Sequence, residues 1–253
     1  MIAAMRAAAA FVADLHLAGD PGETADLLAF LEALPGAGGA EVLYIMGDLF
    51  DLWLGSPKLQ LDFQTDVAGA IRRVRERGVA VRFVEGNREF RIARAFGSLF
   101  TAATEEAFDH EVAGRRLHVA HGDRVNLDDR LYRLWRRVSK NRPVFALLDL
   151  LPREAGLGLA LALERRLRTT NRSMKRYFPE AHCLRYAQPL VAGGTDLVLF
   201  GHFHVERRIP VEAGGRRGEV LCLPDWKTSR RYLRLEADGR ADVVAHRRDA
   251  LRV

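Results

Sequence analysis

Five short clusters carry side chains that can hold divalent cations: Asp14-Leu15-His16, Gly47-Asp48-Leu49-Phe50-Asp51, Gly86-Asn87-Arg88-Glu89, His121-Gly122-Asp123 and Gly201-His202-Phe203-His204. Four of the eight histidines fall inside them. Taken singly, each cluster is as easily an Asp capping a helix or a His satisfied by one hydrogen bond, and patterns such as D-x-H recur by chance. Taken together they offer carboxylate, imidazole and carboxamide without thiolate, a donor set that suits Mn²⁺, Fe or Zn²⁺. The candidate metal ligands are Asp14, His16, Asp48, Asn87, His121, His202 and His204. A carboxylate with two free oxygens can bridge two ions, and Asp48, in the tight Gly47-Asp48 turn, is the candidate bridge. Two ions roughly 3.5–4 Å apart lower the pKa of a shared water and neutralise phosphoryl oxygens, so the chemistry expected is hydrolysis at phosphorus by metal-activated water.

Such residues need a frame that brings them together. Short apolar runs alternate with amphipathic stretches: Phe11-Val12-Ala13, Thr24 to Leu34, Val42 to Met46, Asp66 to Arg77, then Val79 to Val84. That alternation predicts βαβα topology and a mostly parallel sheet. Each apolar run ends in one of the polar clusters, and ligand sites of open α/β sheets lie at the carboxyl ends of strands, so the clusters are expected to converge. Phe108 to Val112 and Leu117 to Ala120 flank Gly114-Arg115 as a hairpin that delivers His121. From about Asp128 to Leu190 the chain turns helical and basic, with Pro143, Pro152 and Pro179 as helix starts or breaks. Asp196 to Phe200 reads as a buried strand, and alternating segments through Val244 as antiparallel strands completing a second sheet. The architecture expected is a two-sheet α/β sandwich forming one domain over residues 1–253, with a helical lid insertion at 128–190.

With 253 residues, 48% hydrophobic and 28% charged, the chain can bury a full core, and no fixed period or low-complexity tract suggests a solenoid or disorder. The formal charge of +6 favours anionic partners, which are phosphorylated small molecules, nucleic acid or an anionic membrane surface. Cys183 and Cys222 form no CxxC pair and read as core residues of a protein in a reducing cytoplasm. The stretch from Met1 to Ala10 superficially resembles a signal peptide, but it leads straight into Asp14 and His16 and is read as the first buried strand. No uncharged stretch approaches the ~20 apolar residues that span a bilayer.

In their order the five clusters resemble the five blocks of the calcineurin-like metallophosphoesterases, and they span most of the chain. The resemblance implies that Asp14, His16, Asp48 and His204 hold one metal, while Asp48, Asn87, His121 and His202 hold the other. Most of that family has His where this chain has Arg88. A histidine there is placed to protonate an alkoxide leaving group, whereas arginine, always charged, braces phosphate oxygens but gives up no proton readily. A leaving group that is itself a phosphate needs little protonation, so Arg88 points to a pyrophosphate bond.

The Gly-Asn-Arg-acid block, the run from Gly47 to Trp53, the helical insertion after Asp123 and the Leu223-Pro224-Asp225-Trp226 turn together resemble the branch of the family that hydrolyses UDP-2,3-diacylglucosamine in lipid A synthesis. That resemblance implies release of UMP and 2,3-diacylglucosamine 1-phosphate, two divalent ions with Mn²⁺ usual, a lipid-linked nucleotide-sugar substrate and peripheral association with the inner membrane. No nucleic acid and no obligate protein partner are expected. It also implies Arg88 as the catalytic cation and Asn87, Arg88, Asp129 and His202 as substrate contacts. Glu89 stands where the branch usually has Asp, a change that keeps a supporting carboxylate. The branch's polar contacts on the last lid helix have no clean match; the nearest face reads Arg168, Arg172 and Lys175, at i, i+4 and i+7, either a diphosphate contact or a solvated basic face. Phe145, Leu148 and Leu151 are acyl-chain contacts or ordinary helix packing. The rival readings are a related metallophosphoesterase for another nucleotide diphosphate or a phosphomonoester, and a nuclease using the lid cations Arg133, Arg136, Arg137, Lys140 and Arg142 with Trp135. An inactive scaffold is disfavoured because no ligand position is missing.

Overall fold

The computed structural model describes residues 7–36, 38–126, 128, 134, 136, 141, 150–170 and 178–246. Its first half is the expected alternation. Strands β1 (Ala7–Val12), β2 (Ala40–Ile45) and β4 (Ala80–Val84) are parallel neighbours, and β6 (Ala102–Thr104) extends the same sheet. A two-residue pair, β3 (Trp53–Leu54) with β5 (Glu89–Phe90), ties the second and third clusters together. Helix α1 (Pro21–Ala33) starts where Asp20 accepts from Glu23 N at 2.8 Å and proline occupies the first turn, both start signals. Helix α2 (Asp62–Glu76) buries Val67, Ala70, Ile71 and Val74, one face at i, i+3, i+4 and i+7. A short α3 (Ile92–Ala95) follows β5.

Strand alternation sorts the core into layers. Ala10, Val12, Leu43, Ile45, Val81 and Phe83 face α1 and α2, packing with Leu27, Phe30, Val67 and Ile71. Their neighbours Phe11, Tyr44 and Val84 face a second sheet and pack with Leu117, Val119, Leu197 and Leu199. That sheet runs β10-β11-β9-β8-β7, from β7 (Ala107–Val112), β8 (Arg115–Ala120), β9 (Leu197–Phe200), β10 (Arg207–Ala213) and β11 (Arg216–Cys222). Its outer face packs on helix α5 (Glu180–Ala192) through Cys183, Ala187 and Val191 against Val198, Phe200 and Val220. Each fully buried Leu, Val or Phe contributes about 1.5–3 kcal/mol, so these apolar interfaces, not the polar strand ends, hold the molecule together.

One expectation is corrected. The strands β12 (Arg231–Leu235) and β13 (Ala241–Ala245) do not complete the second sheet; β12 pairs antiparallel with β1 and they form the edge of the first. The chain crosses over at Asp225-Trp226, where helix α6 (Trp226–Ser229) begins and Trp226 N donates to Ala13 O at 3.0 Å. Alternation alone carries no information about which edge a strand joins. Glu180 to Leu190, at the end of the expected insertion, belong to α5, which packs on the second sheet through Cys183, Ala187 and Val191 at i, i+4 and i+8. Helix α4 (Arg153–Thr170) precedes it and touches the main body through Leu59 and Leu157. Among the described residues no helix is long and apolar enough to cross a membrane.

Candidate metal centre

The five clusters meet at the carboxyl ends of β1, β2, β4, β8 and β9. Adjacent strand ends are stitched by Asp14 N to Gly47 O (3.2 Å), His16 N to Asp48 O (2.8 Å) and Gly201 N to His121 O (2.9 Å). Asp14, His16, Asp48, His202 and His204 all have left-handed backbones, with φ of 55°, 47°, 51°, 66° and 57°. A left-handed non-glycine residue costs about 1–2 kcal/mol, and such strain concentrates where side-chain aim matters more than stability. The glycines of the clusters serve close approach: a Cβ on Gly47 would stand 2.5 Å from His121 Nδ1, and one on Gly86 would stand 2.3 Å from Asp48 Oδ1.

Two sets of candidate ligand atoms result. Asp14 Oδ1 lies 3.2 Å from His204 Nε2 and 3.9 Å from His16 Nε2, and the two Nε2 atoms are 3.2 Å apart. Asn87 Oδ1 lies 3.1 Å from His121 Nε2 and 3.0 Å from His202 Nδ1. Asp48 stands between the sets, with Oδ2 3.6 Å from His16 Nε2 and Oδ1 3.6 Å from His121 Nε2. The acceptor atoms of Asp14, His16 and His204, and those of Asp14, Asp48 and His121, fall within 4.8 Å of one another.

Other groups stand behind the candidate ligands. His121 Nδ1 donates to Met46 O at 2.8 Å, which turns its Nε2 lone pair inward, and His16 Nδ1 faces the Asp51 carboxylate at 3.2 Å. Asp51 was quoted in its cluster without a role; its spacing three residues after Asp48 was the available signal. Glu89, fully buried, accepts from Asp48 N (2.9 Å), Leu49 N (2.8 Å) and Gly86 N (2.7 Å), so its carboxylate fastens the Asp48 turn. Burial and the nearby Asp48 carboxylate push Glu89 up to about 7.

Charge in the site is matched by protons. Burial raises the Asp14 carboxyl, but the His204 contact and the neighbouring imidazoles outweigh it and hold it far below the usual carboxylate range. Burial lowers His16 and His121, yet Asp51 and Asp48 for the first and Asp48 and Asp14 for the second bring both above the ordinary histidine value. His202, desolvated and beside His121, is pushed down to about 4 and presents a neutral ring. Opposed ring nitrogens and buried carboxylates in this density fit divalent cations, which take the place of such protons on binding.

Arg88 is 6% exposed, and its Nε and Nη1 find no hydrogen-bond partner among the described residues. Its own amide donates to Asp48 Oδ1 at 2.9 Å, fixing it to the centre. Beside Asp51 opens an apolar hollow of about 90 Å³, lined by Leu17, Leu52, Leu54, Leu59, Phe63 and Leu157. Arg136, grouped from sequence with cations free to meet nucleic acid, is instead 6% exposed, with Nε 3.1 Å from Asp123 Oδ2. Asp129, Arg172, Lys175, Phe145, Leu148, Arg133, Trp135, Arg137, Lys140 and Arg142 lie outside the described residues, as does the Arg168 side chain, whose backbone is in α4. Leu151 is half-buried, and its carbonyl accepts from Lys58 Nζ at 2.8 Å.

The model of the calcineurin-like phosphoesterase family matches residues 8–206. The chain belongs to that family and is a metal-dependent hydrolase. Among similar proteins, the UDP-2,3-diacylglucosamine hydrolase of Neisseria meningitidis serogroup B (strain ATCC BAA-335 / MC58) is 33% identical over 234 residues, covering 90% of this chain and 94% of that protein. The protein of the same name from Neisseria gonorrhoeae (strain ATCC 700825 / FA 1090) is 32% identical over 90% of this chain and 94% of its own. That from Proteus mirabilis (strain HI4320) is 30% identical, with 90% and 95% covered.

Proposed function

We propose that this enzyme hydrolyses the pyrophosphate bond of UDP-2,3-diacylglucosamine, releasing UMP and 2,3-diacylglucosamine 1-phosphate. The observation that carries the reading is the buried Arg88 guanidinium, whose Nε and Nη1 have no hydrogen-bond partner among the described residues, set against the two groups of candidate ligand atoms. A buried cation without a counter-charge is costly, and a diphosphate supplies that charge. Similarity to hydrolases named for that substrate over 90% of the chain supports the choice among diphosphates.

Asp14, His16, Asp48 and His204 would hold one divalent ion, Mn²⁺ by preference, and Asp48, Asn87, His121 and His202 the second. When bound, the pair supplies Lewis-acid charge at phosphorus and lowers the pKa of water. The protein's own part is positional. The Met46 carbonyl holds the His121 ring in the ligating tautomer, Asp51 sets a carboxylate beside His16 Nδ1, and Glu89 pins the Asp48 turn. Arg88 braces the non-bridging phosphoryl oxygens as charge grows on them, and the departing phosphate needs no proton donor. The apolar hollow beside Asp51 suits the start of an acyl chain. Leu150, Leu159 and Leu161, exposed on the segment around α4, suit peripheral contact with the inner membrane.

The test is a parallel assay of the Mn²⁺-loaded protein on UDP-2,3-diacylglucosamine, an arylphosphate and a single-stranded oligonucleotide. The lipid nucleotide is expected to be turned over with the highest kcat/KM. Preference for the arylphosphate would favour a general phosphoesterase, and preference for the oligonucleotide a nuclease. The insertion is assigned specificity, not chemistry, so changing Arg168, Arg172 and Lys175 together to Ala is expected to raise KM for the lipid substrate about tenfold while leaving arylphosphate hydrolysis nearly unchanged. Equal losses on both substrates would place those residues in support of the fold or the metal centre.

A further inference from the structure

The segment that carries Asp14 and His16 runs past the end of β1 and is held from both sides. On one side its amides are used: Asp14 N, His16 N and Leu17 N donate to the carbonyls of Gly47, Asp48 and Leu49 at 3.2, 2.8 and 3.1 Å. On the other side its carbonyls are used by two consecutive residues, Trp226 and Lys227. Trp226 N donates to Ala13 O at 3.0 Å, Lys227 N reaches Asp14 O at 3.4 Å, and Lys227 Nζ donates to His16 O at 2.8 Å. The ammonium is steadied by Glu23 in the first turn of α1, 3.3 Å away. Asp225 fastens this short helix by accepting from Thr228 N at 2.9 Å.

We infer that Lys227 is a positioning residue of the metal centre: its ammonium, held by Glu23, fixes the His16 carbonyl and with it the left-handed turn that aims Asp14 and His16. The inference rests on the two-ion reading of the site. The side-chain bond at 2.8 Å is the tight contact here, since the amide bond to Asp14 is long. As an ion pair with a third of its side chain exposed, Lys227–Glu23 adds little to overall stability. Ligand aim is far more sensitive, because a ring nitrogen displaced by a fraction of an ångström loses the ion while the core barely registers the change. The larger effect falls on the half that His16 and His204 complete, because Asp14 meets the other half only at its edge, within 4.8 Å of Asp48 and His121 and accepting from His202 N at 2.7 Å. His121 and Asn87 lie on other strands and receive no support from this helix.

The experiment is a Mn²⁺ titration of the metal-free protein, with free Mn²⁺ followed by electron paramagnetic resonance. Wild type is expected to bind two ions. In Lys227→Met, which keeps the apolar stem, one dissociation constant is expected to rise about 10- to 100-fold, the range seen when groups behind metal ligands are removed. The other should stay within about threefold, and Lys227→Arg should recover most of the loss because it keeps a cationic donor. Glu23→Gln should weaken the same ion by a smaller factor, which guards against a poorly folding Lys227 variant. Unchanged affinities in both variants, or an equal fall at both ions together with a lower melting temperature of the metal-free protein, would overturn the assignment. A wild-type stoichiometry of one would sink the two-ion reading separately, leaving the Lys227 effect to be read on that ion.

Discussion

Asp48→Ala is expected to lower kcat by more than the roughly 10³-fold that loss of one oxyanion donor costs, and to cut bound metal from two ions to about one or fewer. Asp48 is the residue whose two oxygens face both sets of ligand atoms, at 3.6 Å from His16 and 3.6 Å from His121. Removing it takes away the shared anion, and the remaining imidazoles then repel. Alanine at a φ of 51° keeps the left-handed strain without the short polar side chain that eases it in aspartate and leaves Arg88 N without its acceptor, a cost the apolar interfaces can absorb. Asp48→Asn separates charge from shape. It tolerates the left-handed backbone and still accepts from Arg88 N, so it should melt as wild type does while losing metal and activity alike. Elemental analysis with steady-state kinetics is the check. Either variant retaining two ions and wild-type turnover would remove Asp48 from the bridge.

Arg88→Ala is the second large effect. Loss of the guanidinium should reduce kcat/KM on the pyrophosphate by about 10²–10³-fold, equivalent to about 2.7–4 kcal/mol, if it acts as an oxyanion-type donor. Metal content should stay at two ions, because the side chain ligates nothing. Stability should move the other way: a buried charge without a partner among the described residues destabilises the free enzyme, so the variant is expected to melt higher than wild type. Arg88→His puts a titratable donor where the wider family keeps one, and should shift the ratio of kcat/KM values toward phosphomonoesters. A lower melting temperature for Arg88→Ala with unaltered kinetics would make Arg88 a structural residue, and an unaltered substrate ratio in Arg88→His would remove the chemical argument linking arginine to pyrophosphate.

Much of the fold was legible because it rests on local pattern. Periodicity located β1, α1, β2, α2 and β4, since a buried parallel strand and a one-faced helix leave different spacings, and strand-end polar clusters marked where side chains could converge. The partnership of β12 with β1 was illegible, because an alternating strand fits either sheet and only the crossing at Asp225-Trp226 decides. The packing of α5 rests on Cys183, Ala187 and Val191, a one-faced spacing visible in the sequence, whereas the sheet that it covers is not. At the site, the candidate ligand types are visible in the sequence and the groups behind them are not. Asp51 behind His16, the Met46 carbonyl behind His121 and Lys227 on the His16 carbonyl depend on distances between remote segments. Arg136 shows the same limit: its run of cations looks solvent-facing, whereas the side chain is turned in toward Asp123.

Turnover of UDP-2,3-diacylglucosamine in ¹⁸O-labelled water, with mass analysis of both products, reads the proposed reaction most directly. Water attacking the phosphorus nearer uridine expels a sugar phosphate that leaves without a proton donor, as a site with Arg88 in place of a general acid requires. The expected result is one ¹⁸O atom in UMP and none in 2,3-diacylglucosamine 1-phosphate. Label in the sugar phosphate, or release of inorganic phosphate with no UMP, would contradict the account.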